Sequence, residues 1–375
     1  MNPTVTELTE EDSTLKFRLS GVNTSIANAL RRIMIAEIPC VVFRTAPYAD
    51  NKVDIEINTT RMNNELLKQR ISCIPIHISD TDFPIANYVV ELDKRNDGDV
   101  IDFATTEHFV MRDLQSGALL PRTTVSKIFP PDPFTGDYID IARLRPKIVS
   151  DSDGEHLKLT ARFDIGTAKE DGSFGVVSTC AYAATPDRLK IDEEAKAMAA
   201  DLKSKGVSQD DIDYEVKDWK LLKGQTFTVP DSFDFSVKTI GQFENMDIVY
   251  RAAHVMLAKL AKFKSVISET PELIKPSETT IPNSYDITLE GEDYTLGKAI
   301  EYVLYSKHYD PSGKSTHALN FCGFRKPHPH IDISTIRVGF VSPTDHATLV
   351  GLLSDAAAAL SVVFNQIADD FKRSE

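Results

Sequence analysis

Close cysteine pairs are missing from this sequence. Cys40, Cys73, Cys180 and Cys322 lie far apart, which excludes a CxxC zinc or redox pair. Thinly spread cysteines with mostly apolar neighbours are expected to act as small core side chains in reducing surroundings. Long apolar runs are scarce too. No stretch reads as the roughly 20 apolar residues that a membrane helix needs, so no membrane attachment is expected. The first thirty residues carry Glu7, Glu10, Glu11 and Asp12. They resemble neither a secretory nor a transit leader, and an intracellular location is expected. Basic charge is the third deficit. Lys and Arg number 42 against 56 Asp and Glu, a net charge of −14. Grip on phosphates comes from Lys and Arg releasing counterions. The acidic total therefore argues against strong direct DNA binding, and any work on nucleic acid would pass through protein partners.

What is present reads as a globular chain of two or three domains, 42% hydrophobic and 26% charged over 375 residues. Residues 4–20 alternate as a strand hairpin. A helix follows, capped by Asn23 or Thr24, with Ile26, Leu30, Ile33 and Met34 on one face and Pro39 beyond its end. Strand patterns occupy 40–57. Residues 61–78 predict a short helix running into Ile74-Pro75-Ile76. From 80 to 190, short strand candidates alternate with turn signals such as Asn96-Asp97-Gly98 and Pro130-Pro131-Asp132-Pro133. Residues 192–218 read as a charged helical hairpin. A strand at 226–238 leads to a long helix at about 245–268 with an apolar stripe.

Pro271, Pro276 and Pro282 then mark a stiff connection, 271–283. Beyond it the first pattern returns: strand, helix at about 295–306, strands at 317–324 and 331–341, and a final helix from about 344 to 372. Strand–helix–strand–long helix thus occurs twice, and such a repeat usually pairs with itself.

Local catalytic and metal motifs fail on spacing. Ser312-Gly313-Lys314-Ser315-Thr316 imitates a phosphate loop, but His308 stands where its first glycine belongs. His317, Cys322, His328 and His330 lack the tight double pairing of a zinc site. No metal, cofactor or catalytic residue is expected.

The repeated helices carry more specific signals. Phe17-Arg18-Leu19 precedes Asn23-Thr24-Ser25-Ile26-Ala27-Asn28-Ala29-Leu30-Arg31-Arg32-Ile33-Met34-Ile35-Ala36-Glu37-Ile38-Pro39. This block resembles the signature helix of the D subunit of archaeal RNA polymerase, its eukaryotic third-largest-subunit relatives and the bacterial alpha amino-terminal domain. Asn63-Asn64-Glu65-Leu66-Leu67 and Gln69-Arg70-Ile71-Ser72-Cys73-Ile74-Pro75-Ile76 resemble that family's second block, with Gln69 where His is usual and Ser72 where Gly is usual. The C-terminal part resembles the partner chain, the L or eleventh-subunit type. Its matching residues are Glu292-Asp293-Tyr294-Thr295-Leu296-Gly297, Phe321-Cys322-Gly323-Phe324 and Pro327-His328-Pro329. Fused D-like and L-like parts point to a large DNA virus of eukaryotes, and so to the virion or the host cytoplasm or nucleus.

The resemblance implies an α+β fold of two pairing modules forming an intramolecular pseudo-dimer, with a mostly β subdomain inserted in the first. The expected boundaries are 1–60 with 226–270, the insert 61–225, the linker 271–283, and the second module 284–375. The four cysteines of the zinc or iron–sulfur loop that some members carry are not present in 61–225.

Family likeness implies a partner interface at Asn28, Arg31, Arg32, Glu37, Glu65 and Arg70, where the Arg fork suits carboxylates or carbonyls of another chain. The pairing set is Leu257, Leu260, Leu296, Gly297, Phe324, Leu353, Leu360 and Phe364. The implied role is a non-catalytic scaffold of a DNA-directed RNA polymerase. Its partners would be the large subunits, above all the second-largest, and small zinc-binding subunits. The alternative is a regulatory adaptor using the same fold outside a polymerase.

Overall fold

The computed structural model describes residues 1–80, 82–147 and 153–372. Its strands are β1 Thr4–Glu11, β2 Thr14–Ser20, β3 Cys40–Val42, β4 Val53–Asn58, β5 Tyr88–Arg95, β6 Asp102–Thr105, β7 Val110–Asp113 and β8 Asp140–Leu144. They continue as β9 His156–Arg162, β10 Asp164–Gly166, β11 Val177–Pro186, β12 Thr228–Thr239, β13 Ile274–Pro276, β14 Ser284–Glu290, β15 Leu319–Arg325 and β16 Ile333–Phe340. The helices are α1 Thr24–Ala36, α2 Asn64–Ser72, α3 Arg122–Ile128, α4 Arg188–Ser204, α5 Gln209–Leu221, α6 Asn245–Glu269, α7 Tyr294–His308 and α8 His346–Phe371. The architecture is α+β.

The chain forms two compact units. The first comprises residues 1–34, 179–238 and 245–375; the second comprises 35–178 and 239–244. The insert was expected at 61–225, and strand pairing explains the difference. β3 pairs with β10 and β4 with β9, so residues 40–58 belong with the sheets of the second unit. β11 instead joins β12 in the first unit, with the helical pair α4–α5 rising between them.

Within the first unit one topology appears twice. The sheet orders are β1-β2-β12-β11 and β13-β14-β16-β15. In both, the second strand in the chain leads into a short helix (α1, α7) and the fourth into a long one (α6, α8). The strand before the short helix pairs antiparallel with the strand before the long helix. Phe17 faces Phe235 in the first copy, and Ile287 faces Ile336 in the second. The Phe17 and Phe235 rings stack at 4.9 Å, and Phe371 of α8 meets Phe17 edge-on at 4.9 Å. The segment 271–283 is partly folded into the second sheet, because Ile274 of β13 pairs with Ile287. Pro276 is tolerated there because β13 is an edge strand.

The long helices α6 and α8 make the most extensive helix–helix contact of the chain. Val249, Met256, Leu260 and Phe263 of α6 are buried, as are Leu349, Leu353, Leu360 and Phe364 of α8. Each such side chain contributes about 1.5–3 kcal/mol of transfer free energy. By length and composition α8 could cross a membrane, which corrects the expectation from apolar runs. Small residues dilute its apolarity without adding charge: Ala356, Ala357, Ala358 and Ala359 sit in its middle. In this chain its apolar stripe is the core of the first unit.

The second unit has a four-stranded sheet, β4-β9-β5-β7, and two-stranded ribbons β6-β8 and β3-β10. Its core gathers Phe43, Leu67, Ile71, Ile76, Phe109 and Phe163 with their neighbours. Asn96 is buried in the turn expected at 96–98. Its amide donates to the carbonyls of Val100 and Leu144, at 2.8 and 2.9 Å.

Burial pushes the thiols of Cys40, Cys180 and Cys322 up to about 12, while Cys73 is exposed. At neutral pH a thiol reagent is expected to label Cys73 rapidly, and the other three only on unfolding, as read by mass spectrometry of labelled peptides. Rapid labelling of Cys40 would contradict this packing.

Two bidentate ion pairs give a pH dependence. The Arg337 guanidinium hydrogen-bonds Asp286 at 2.6 and 2.7 Å and holds its carboxyl below the ordinary value. Arg112 does the same for Glu91 at 2.8 and 2.9 Å. Folded values below unfolded ones mean that the stability from these pairs is complete above about pH 5. It is lost as pH falls through the folded values. Asp286→Asn should flatten the acid side of a urea-midpoint profile between about pH 6 and 3.

Candidate assembly interface

The turn between β14 and α7 is a polar site where the two copies meet, beside the apolar α6–α8 seam. Gly291 adopts φ +69°, which lets the strand reverse tightly. Asp293 then caps α7, its carboxylate accepting from the Thr295 amide at 2.9 Å. The same carboxylate receives Arg32 of α1 at 2.6 Å, and the Arg32 Nε–H donates to the buried Thr295 hydroxyl at 2.9 Å. Next to it, Glu292 pairs with Lys259 of α6 at 2.7 Å, with both side chains about 15% exposed. The Ser334 hydroxyl donates to the Glu292 carbonyl at 2.9 Å and ties the turn to β16. One acidic turn of the second copy therefore takes a cation from each helix of the first.

Arg32 was expected, from the resemblance, to face another subunit. Its guanidinium is engaged within the chain, and its side chain retains 34% exposure. Asn28 and Arg31 lie on α1, both half-buried. The Asn28 carbonyl oxygen accepts from Arg31 Nε and Nη2 at 3.1 and 3.0 Å. That bond fixes the Arg31 side chain along the helix surface. Glu37 follows the helix and is half-buried.

The pairing residues divide between two kinds of contact. Leu260, Leu353, Leu360 and Phe364 are buried on the facing stripes of α6 and α8, and Leu257 is half-buried on α6. Leu296 lines a cleft with Phe263 and Ile267 of α6. Gly297 and Phe324 meet inside the second copy instead. A Cβ on Gly297 would stand 2.1 Å from the Phe324 ring.

Helix α2 in the second unit carries the other expected interface residues. Asn63 caps it, its side chain accepting from the Leu66 amide at 2.8 Å. Leu67 and Ile71 anchor its inner face. Arg70 is pinned to β8 by donating to the carbonyls of Ile141 and Asp140, at 2.9 and 2.5 Å. Glu65, Leu66, Gln69 and Cys73 are exposed. Grooves of about 950 and 470 Å³ run on either side of this ridge. The first reaches Tyr48, which is 90% exposed. A half-sunk helix flanked by grooves can dock a protein surface.

The partners of Arg32 and Lys259 were not foreseen as a site. The available signal was the Glu292-Asp293 pair, two adjacent carboxylates at a helix start, which sequence reading treated as part of a motif. Among the described residues no cluster of three metal-ligating side chains occurs.

The RNA polymerase Rpb3/Rpb11 dimerisation domain matches residues 16–260, well over half of the chain. The chain belongs to that family. Among its relatives is the DNA-directed RNA polymerases IV and V subunit 3B of Arabidopsis thaliana, 29% identical over 207 residues. That alignment covers 51% of this chain and 60% of the plant protein. The DNA-directed RNA polymerases I and III subunit RPAC1 of Homo sapiens is 26% identical over 302 aligned residues, covering 68% of this chain and 81% of the human one. The subunit Rpo3 of Pyrococcus furiosus is 24% identical, with 70% and 96% covered. The family match includes the helix of Arg31 and Arg32, the whole second unit and most of α6.

The Arg32–Asp293 pair should appear as an energetic coupling. In a double-mutant cycle, Arg32→Ala and Asp293→Asn should couple by about 1 kcal/mol, less in high salt. Asp293→Ala should cost about 0.5–2 kcal/mol more than Asp293→Asn, because the cap is also lost. Strictly additive effects would remove the pair from the stability of the first unit. Gly297→Ala should destabilise by about 1–3 kcal/mol, and much less in a Phe324→Ala background.

Proposed function

We propose that the chain is a non-catalytic assembly subunit of a DNA-directed RNA polymerase. The observation that carries this reading is the twofold occurrence of one sheet-and-helix topology, the first copy of which falls within the match to a polymerase dimerisation domain. On this reading the first unit is a pairing module and its partner in one chain, a pseudo-dimer of D-like and L-like parts. A single polypeptide makes the pairing intramolecular, so it no longer depends on the concentration of a separate partner. The exposed parts of α1 and the 61–78 segment then face the large subunits, above all the second-largest. Small zinc-binding subunits would dock at the periphery, and nucleotide chemistry would belong to the large subunits. The fusion suggests a large DNA virus of eukaryotes as the source, with the polymerase in the virion or in the host cytoplasm or nucleus.

Arg31 and Arg32 have different expected roles. Among the described residues the Arg31 guanidinium bonds only Asn28, on its own helix face, so Arg31→Glu should leave the thermal melt of the isolated chain nearly unchanged while breaking assembly. Arg32→Glu sets a carboxylate against Asp293 and should lower stability as well. Mild affinity purification of the tagged chain from its native setting, with stoichiometry by mass spectrometry, is the test. One copy beside two very large subunits is the expected result. Recovery of the chain alone, or as homo-oligomers, would overturn the reading.

A further inference from the structure

The loop between α3 and β8, residues 129–140, is held at both ends and rigid at its tip. Phe129 is buried, its ring 4.9 Å from Phe109 and 6.0 Å from Phe43. At the other end, Thr106 exchanges two bonds with Ile139: its amide donates to the Ile139 carbonyl at 3.0 Å, and its hydroxyl accepts from the Ile139 amide at 3.2 Å. At the tip, the Asp132 carboxylate accepts from the amides of Phe134 and Thr135, both at 2.9 Å. The Asp132 amide donates to the Asp137 carbonyl at 2.8 Å, and the Gly136 amide to the Asp132 carbonyl at 2.9 Å. Gly136 adopts φ +76°, and Pro131 and Pro133 stiffen the approach.

This scaffold presents Phe134 with 94% of its surface exposed. Scattered exposed apolar side chains are ordinary. Here, however, four hydrogen bonds fix the backbone that displays the ring, so docking it would order very little chain. Rigid aromatic anchors of this kind dominate protein interfaces. The surrounding sequence supplies the sign of the partner. Residues 130–140 contain Asp132, Asp137 and Asp140, and no Lys or Arg.

We propose that this loop is a docking knob whose Phe134 enters an apolar pocket on another protein, rimmed by Lys or Arg. The proposal goes beyond the polymerase reading and does not require it. The partner is defined by pocket chemistry, whichever complex it belongs to.

The test uses the full-length tagged chain with p-benzoylphenylalanine in place of Phe134, irradiated in its native setting. Crosslinked peptides are then sequenced by mass spectrometry. Crosslinks should converge on one peptide of one protein, with apolar residues beside Lys or Arg. Against that purified partner, Phe134→Ala should weaken binding by about tenfold or more with an unchanged melting temperature. Asp137→Lys should slow association and reduce its salt dependence. No crosslink, crosslinks scattered over several proteins, or an unchanged affinity of Phe134→Ala would overturn the proposal. Large polymerase subunits recovered without any crosslink from position 134 would dismiss the knob and leave the assembly reading standing. A single converging crosslink in a complex without polymerase subunits would do the reverse.

Discussion

Arg32 and Lys259 of the first copy converge on Asp293 and Glu292, adjacent carboxylates of the second. The apolar seam of α6 and α8 supplies most of the adhesion, because burial scales with area and is not directional. Lacking direction, such a seam tolerates slippage and rotation. The two ion pairs fix where α7 begins relative to α1 and α6, since each is short and each carboxylate sits on a capped turn. Burial of Thr295 beside Arg32 makes the constraint stricter: a shifted register would break both bonds of the Arg32 guanidinium, to the Thr295 hydroxyl and the Asp293 carboxylate, at a partly dry position. In this first unit α1, α6, α7 and β16 all bond to the same turn.

Several elements were legible because their physics is local. Asn23 accepts from the Ser25 amide as a cap should, at 2.9 Å, and Ile26, Leu30, Ile33 and Met34 are buried at helical spacing. The stripes of α6 and α8 were readable for the same reason. The charged stretch near 192–218 corresponds to α4 and α5, which bury little beyond Ile191, Ala195 and Ile212. The boundary of the second unit was not readable. Residues 40–58 carry an ordinary strand pattern, and nothing local says that Ile55 pairs with Leu159. Long-range register is a property of two segments, and a single pattern is compatible with many partners.

The Arg31-Arg32 pair shows the same limit at the scale of one residue. Successive helical positions lie about 100° apart, so one of two adjacent arginines turns toward a neighbouring element while the other does not. The family resemblance placed both on the partner side, and helical periodicity could not separate them. The structure gives Arg32 two partners at the start of α7, the cap Asp293 and Thr295, and leaves the Arg31 guanidinium with Asn28. The carboxylate that selects Arg32 lies 261 positions away.

This separation of roles limits how the surface can change. A residue bonded inside the first unit is constrained by its partner, so a change at Arg32 or at Asp293 removes the ion pair between them. Glu65, Leu66 and Gln69 on α2 have no such internal demand, because Asn63, Leu67 and Ile71 already fix that helix. They line the two grooves beside α2 and are free of any role in holding that helix in place. The usual His and Gly of the family block, replaced here by Gln69 and Ser72, illustrate this difference. Ser72 is buried and satisfies itself by donating to the Gln69 carbonyl at 2.7 Å, so that substitution is absorbed inside the fold. Gln69 points along an exposed ridge, where the helix neither requires nor excludes it. A change there costs the fold little, whereas the buried change has to be met by a bond inside the helix.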